Sequence, residues 1–147
     1  MSQYLDFELV NKANPEIKVD LGYWCTSIAR GISFNFDGIF PYTDSDVKLD
    51  YEKMKSWIKI LHDGIDEYKE HLRESQERKK EYIDFLLKAQ TEVAVKSIKE
   101  DIQDTEESIS EWEEDIETWT MVENKLEFIL YLMDENSKEW DLVYRNS

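Results

Sequence analysis

The 147-residue sequence contains one cysteine, two prolines and four glycines. A lone Cys25 cannot close an internal disulfide, so a reducing, cytoplasmic home is expected, with Cys25 a small buried hydrophobe near Trp24 and Ile28. Every proline and glycine lies at or before Gly64. A turn-containing N-terminal third should therefore give way to a long helical region without strong breakers. No apolar run approaches the roughly 18 residues of a membrane span. The opening MSQYLDFELV also lacks the basic start and apolar core of a secretory signal. Only two histidines occur, His62 and His71, nine residues apart and so on opposite faces of a helix. Neither sits in an HExxH or Glu-x-x-His pattern, and Glu67 with His71 reads as a surface i, i+4 pair. The run Asp44-Ser45-Asp46 starts like a calcium loop but continues with Lys48 and Leu49 where a ligand and the turn glycine belong. No catalytic, cofactor-binding or metal-ligating residue is assigned, and no enzyme activity is expected.

Aromatic side chains are plentiful, with five Trp, eight Tyr and six Phe, so this is no disordered acidic tail. The formal charge is −16. Residues 1–45 carry −3, residues 46–90 carry −1, and residues 91–141 carry −13. Such a chain should repel nucleic acid and anionic membranes, and its charged partner should be a basic protein surface.

Leu5, Phe7 and Leu9 alternate with Asp6 and Glu8, and Ile17, Val19 and Leu21 alternate with Lys18 and Asp20. Period two marks half-buried strands, and the intervening NKANP supplies turn formers, so a β-hairpin is expected. Thr26 or Ser27 would cap a short helix through SIARGISF. Arg30 there either ties the loop to an acid or binds an anion. The apolar loop DGIFPY, with Phe40 and Tyr42, either seals the sheet against the helices or joins a binding patch.

A helix is expected from Thr43, with Asp46 as its N3 acid. Val47, Tyr51, Met54, Ile58, Leu61, Ile65, Tyr68 and Leu72 follow the 4-3-4-3 spacing of a coiled-coil seam. Ser75 and Lys79 interrupt it, and Tyr82, Leu86, Ala89 and Val93 resume it. A second seam runs through Ile98, Ile102, Thr105, Ile109, Trp112, Ile116 and Trp119, then shifts to Val122, Leu126, Ile129 and Met133. Trp140, Leu142 and Tyr144 alternate as a last strand beside the hairpin. A bend near Gln90–Thr91 would pair residues whose numbers sum to about 182. That sets Tyr68 and Leu72 against Trp112 and Ile109, and the cluster Arg73, Arg78, Lys79 and Lys80 against Asp101, Asp104 and Glu106. Bends near 74–76 and 104–108 would instead give three helices, with Asp104/Glu107 and Ser108/Glu111 as caps.

The expected fold is therefore α+β: a small antiparallel sheet with a long antiparallel α-helical hairpin. It forms one domain of three parts, 1–45, 46–135 and 136–147. From Glu100 to Asn124 the chain has eleven acids and no Lys or Arg. With Ile102, Ile109 and Ile116 at heptad position a, the acids fill every outer position. Their density, one per roughly 3.3 Å of helix, is close to the ~3.4 Å per phosphate of one DNA strand. The candidate partner-binding residues are Asp104, Glu106, Glu107, Glu111, Glu113, Glu114, Asp115 and Glu117, with Phe40 and Tyr42 as an apolar anchor. The bland alternative is a solvated helix face.

An opening of the type YLDFELV, a turn, a second strand, a Ser-Ile-Ala-Arg segment and a long charged helix resembles small acidic accessory proteins of phages and mobile elements. The resemblance spans residues 4–90. It implies an anti-CRISPR or other anti-defence inhibitor, acting in the host cytoplasm and mimicking DNA toward a nucleic-acid-binding effector. The rival is a structural coiled-coil protein, homodimeric or part of a phage assembly.

Overall fold

A computed structural model describes residues 5–24, 31–32, 35–36, 38–43 and 45–146. Cys25, Thr26, Ser27 and Arg30, and the expectations placed on them, lie outside these. Strand β1 (Leu5–Asn11) pairs antiparallel with β2 (Lys18–Trp24), as the alternation implies. The turn is built by side chains. Asn11 Oδ1 accepts from the Ala13 and Asn14 N–H groups at 3.0 and 2.9 Å, and Ile17 N–H returns to Asn14 O. The C-terminal alternation forms β4 (Trp140–Asn146), which pairs along the whole of β1. A further short strand, β3 (Val47–Leu49), pairs with β4, giving the all-antiparallel order β2-β1-β4-β3.

β3 overturns the expected helix start at Thr43. Helix α1 spans Tyr51–Lys88, and Asp50 is its N-cap, with Asp50 Oδ1 accepting from Lys53 N–H at 2.7 Å. Val47 is therefore a strand residue, not the first of the seam. Thr43 instead holds the end of β4: its N–H donates to Asn146 O, and its Oγ1 accepts from Asn146 N–H. Helix α2 spans Glu92–Asn136. The two-helix alternative is therefore the one found, and the bend occupies Ala89–Thr91. Thr91 caps α2, its Oγ1 accepting from Ala94 N–H at 3.1 Å. A bend without Gly, Pro or Asn is thus closed by a threonine cap.

The chain packs as two compact units, Met1–His62 with Val122–Ser147, and Asp63–Met121. These boundaries fall inside both helices. In the first unit the sheet's inner face supplies Leu5, Phe7, Leu9, Leu142 and Tyr144. The helices supply Met54, Trp57, Ile58, Leu61, Val122, Leu126, Ile129 and Met133, and all of these are buried. An aromatic chain lies at the centre: Phe7–Phe40 at 5.8 Å between ring centroids, Phe40–Trp57 at 4.8 Å and Trp57–Tyr144 at 5.1 Å. Phe40 is 1% exposed, with a left-handed backbone (φ 49°). It is a core residue, so its assignment as a partner anchor is corrected; Tyr42 is 65% exposed. The apolar loop seals the core, and Asn146 fixes it by donating from Nδ2 to Phe40 O at 2.6 Å.

In the second unit the seams hold except at Val93, which is 81% exposed in the first turn of α2 rather than a last seam residue of α1. Ile65, Ser75, Thr105 and Trp119 are buried, and Tyr68, Leu72, Lys79, Ile102, Ile109, Trp112 and Ile116 are half-buried. Ser75 and Lys79 belong to the seam rather than breaking it.

Thr91→Ala should destabilise the protein by about 1 kcal/mol through loss of the cap, measured by urea unfolding with an unchanged m-value. Tyr144 donates to Pro41 O at 2.8 Å, and burial pushes its hydroxyl from 10.0 up to about 12. The folded state thus disfavours the phenolate. The stability this contributes is complete below pH 10.0 and is lost as pH rises through about 12. Tyr144→Phe should cost about 1 kcal/mol at neutral pH and flatten the alkaline fall in stability.

Candidate functional site

The acidic segment lies wholly on α2, where the seam decides what faces water. All ten carboxylates from Glu100 to Glu117 are exposed. Opposite the seam, Glu100, Asp104, Glu107, Glu111 and Glu114 recur at 4-3-4-3 spacing, which aligns them in one stripe along the helix. The stripe covers about 21 Å. Asp101 and Asp115 flank it on one side, and Glu106, Glu113 and Glu117 lie on the other. Every acidic residue proposed from the sequence is therefore on the surface. The eleventh acid of the segment, Glu123, is not: it is 9% exposed, and its Oε1 lies 2.7 Å from His62 Nδ1. Its number and that of His62 sum to 185, near the expected register, so the seam spacing also carries this pair.

The register is confirmed by three contacts inside the second unit. Tyr68 and Trp112 rings meet edge-on at 5.2 Å, and His71 stacks on Trp112 at 5.0 Å. Lys79 Nζ lies 3.2 Å from Glu106 Oε1. The rest of the basic cluster behaves differently from the expectation. Arg73 spends its guanidinium on its own helix, with Nε donating to Glu70 at 3.0 Å and Nη1 to Glu77 at 2.6 Å. The hydrogen bond from Arg73 holds the Glu70 carboxyl below its usual range. Among the described residues, Glu106 is the one carboxylate from Glu100 to Glu117 in an ion pair.

Partial burial perturbs two groups beside the acidic stripe. Asp115 is raised from its ordinary value, chiefly by partial burial and then by Glu114. The Tyr68 hydroxyl is also raised, by burial first and then by Asp115 and Glu67. Like charges one helical turn apart repel by a few tenths of a kcal/mol per pair. Burying one large apolar seam residue returns about 1.5–3 kcal/mol, so the helix tolerates the whole stripe. The exposed carboxylates occupy a convex, solvated surface. Such a surface can attract cations and basic groups, but it lacks the enclosed, low-dielectric setting that would separate two carboxyl pKa values for acid–base work. Among the described residues, no group of three or more His, Cys, Asp or Glu is placed to hold a metal ion. Among the described residues, no helix is long and apolar enough to cross a membrane.

Comparison with protein families, with curated proteins and with solved structures yields no match.

Because most of the acids lack a counter-charge, screening should relieve more repulsion than it removes attraction. Raising NaCl from low to about 0.5 M, where charges are felt over only a few ångströms, should raise the thermal midpoint by a few degrees. A lower midpoint would mean that internal ion pairs dominate.

Proposed function

We propose that this protein is a non-enzymatic binding protein and an inhibitor. Its second helix presents an acidic face to a basic protein surface of the kind that ordinarily holds nucleic acid. The reading rests on one observation: ten exposed carboxylates between Glu100 and Glu117, of which Glu106 alone is ion-paired among the described residues. A helix needs far less charge for solubility, and the repulsion works against its own stability. A basic groove would relieve that repulsion, release counterions and steer association from a distance. Tyr42 is the exposed aromatic that remains available as an apolar contact. The anti-defence role that the N-terminal resemblance implies is the specific form of this proposal, with a cytoplasmic, nucleic-acid-handling effector as the target.

The rival reading, a structural coiled coil, would use the apolar seams between chains. Here Ile65, Leu61, Trp119 and Leu126 are already buried within one chain, which favours the inhibitor.

Glu106, Glu107, Glu113 and Glu114 are exposed, so reversing all four to Lys should leave helical circular dichroism intact. Immobilised wild-type protein is expected to capture basic, nucleic-acid-binding proteins from a host lysate, released by rising salt or by added DNA. The reversed variant should capture none of them. Capture of the same proteins by both would rule out the acidic face as the contact.

A further inference from the structure

The sheet ends on β2, which has β1 on one side and no strand among the described residues on the other. Its hydrogen-bonding directions can be assigned. Asn11 N–H donates to Ile17 O at 3.0 Å, and Leu9 stands opposite Val19. Main-chain groups alternate in direction along an antiparallel ladder. Those of Ile17 and Val19 therefore turn toward β1, and those of Lys18 and Asp20 turn toward the free edge. Side chains alternate as well. Val19 lies on the core side with Leu9, while Lys18 and Asp20 lie on the outer side. Ile17 and Val19 are nevertheless 49% and 44% exposed.

The regular run ends where the register shifts opposite Phe7/Glu8 and Gly22 adopts φ 109°. Lys125 of α2 lies against Gly22, since a methyl group there would come within 2.6 Å of Nζ. Phe128, one turn further along α2, is 61% exposed. The edge thus combines outward main-chain donors and acceptors, an apolar lip, and opposite charges two residues apart.

We propose that β2 is a self-association edge: it pairs antiparallel with β2 of a second copy about a two-fold axis at Val19. Symmetry restricts the register, because only outward-turned residues can exchange main-chain bonds. Centring on Lys18 opposes two lysines, and centring on Asp20 opposes two aspartates; like charges directly opposite are destabilising. Centring on Val19 sets each Lys18 against the Asp20 of the other copy. It also sets Val19 against Val19 and Ile17 against Leu21. The Val19 pair is then of the non-hydrogen-bonded type, in which side chains approach most closely. The exposed apolar lip becomes covered by its own copy. A lysine on an edge strand ordinarily deters pairing. Here it deters other strands while the self-paired register supplies its counter-charge. This interface is separate from the acidic face of α2 and does not depend on the function proposed above.

Sedimentation equilibrium of the full chain tests it through a charge swap. Wild type should dimerise at micromolar concentrations. Lys18→Asp and Asp20→Lys alone should each raise the dissociation constant by at least about tenfold, because each creates like-charge oppositions. The double variant Lys18→Asp/Asp20→Lys should recover the dimer. Circular dichroism would confirm that all three variants are folded. A monomeric wild type would overturn the proposal. So would single variants that dimerise like wild type, or a folded double variant that stays monomeric.

Discussion

The pairing of two apolar seams within one chain is the constraint from which the rest follows. Where Ile65, Ser75, Thr105 and Trp119 are buried and Tyr68 meets Trp112, the rotation of α2 about its axis is set. The stripe from Glu100 to Glu114 has then nowhere to point but solvent. The seam does this with little help from electrostatics. One ion pair, Lys79–Glu106, joins the acidic run to α1, and an exposed pair of that kind contributes at most about 1 kcal/mol. Burial of even a few large seam side chains exceeds it. The acids are therefore passengers of the packing, free to serve a purpose other than holding the helices together.

The sheet-bearing unit solves a different problem. Four short antiparallel strands cannot be stable unless their apolar face is covered. The ends of both helices and the loop around Phe40 do this, with Trp57 filling the space between Phe40 and Tyr144. The last strand lies in the middle of the sheet, between β1 and β3. Residues at the two ends of the chain thus complete one ladder, and Asn146 ties the Phe40–Thr43 loop to it through three hydrogen bonds. The outer strand β2 is the one long edge left without a neighbour among the described residues.

Much of this is legible in the sequence. Period-two alternation marks β1, β2 and β4, and the two seams carry the register and hence the exposure of the acids once the bend is placed at Ala89–Thr91 rather than at the three-helix alternatives. The failures have physical causes. β3 is three residues long, too short for alternation to register, so Val47 was absorbed into a helical spacing it happened to match. Asp50, the cap actually used, was hidden by the equally plausible Thr43–Asp46 pair. Phe40 looked exposed because it follows Asp37 and Gly38 and precedes Pro41. Its left-handed backbone turns it into the core instead. The register sets Arg73 against the opposite helix, but Glu70 and Glu77 stand one turn away on its own. Local partners at i−3 and i+4 cost a long side chain less to reach.

What the carboxylates are for rests on their being accessible and uncommitted. Carbodiimide labelling of the native protein, read residue by residue by mass spectrometry, measures that directly. Asp104, Glu107, Glu111 and Glu114 should react quickly and alike, while Glu123, held against His62, should be protected. Protection of the four stripe residues at a level comparable to Glu123 would contradict the account.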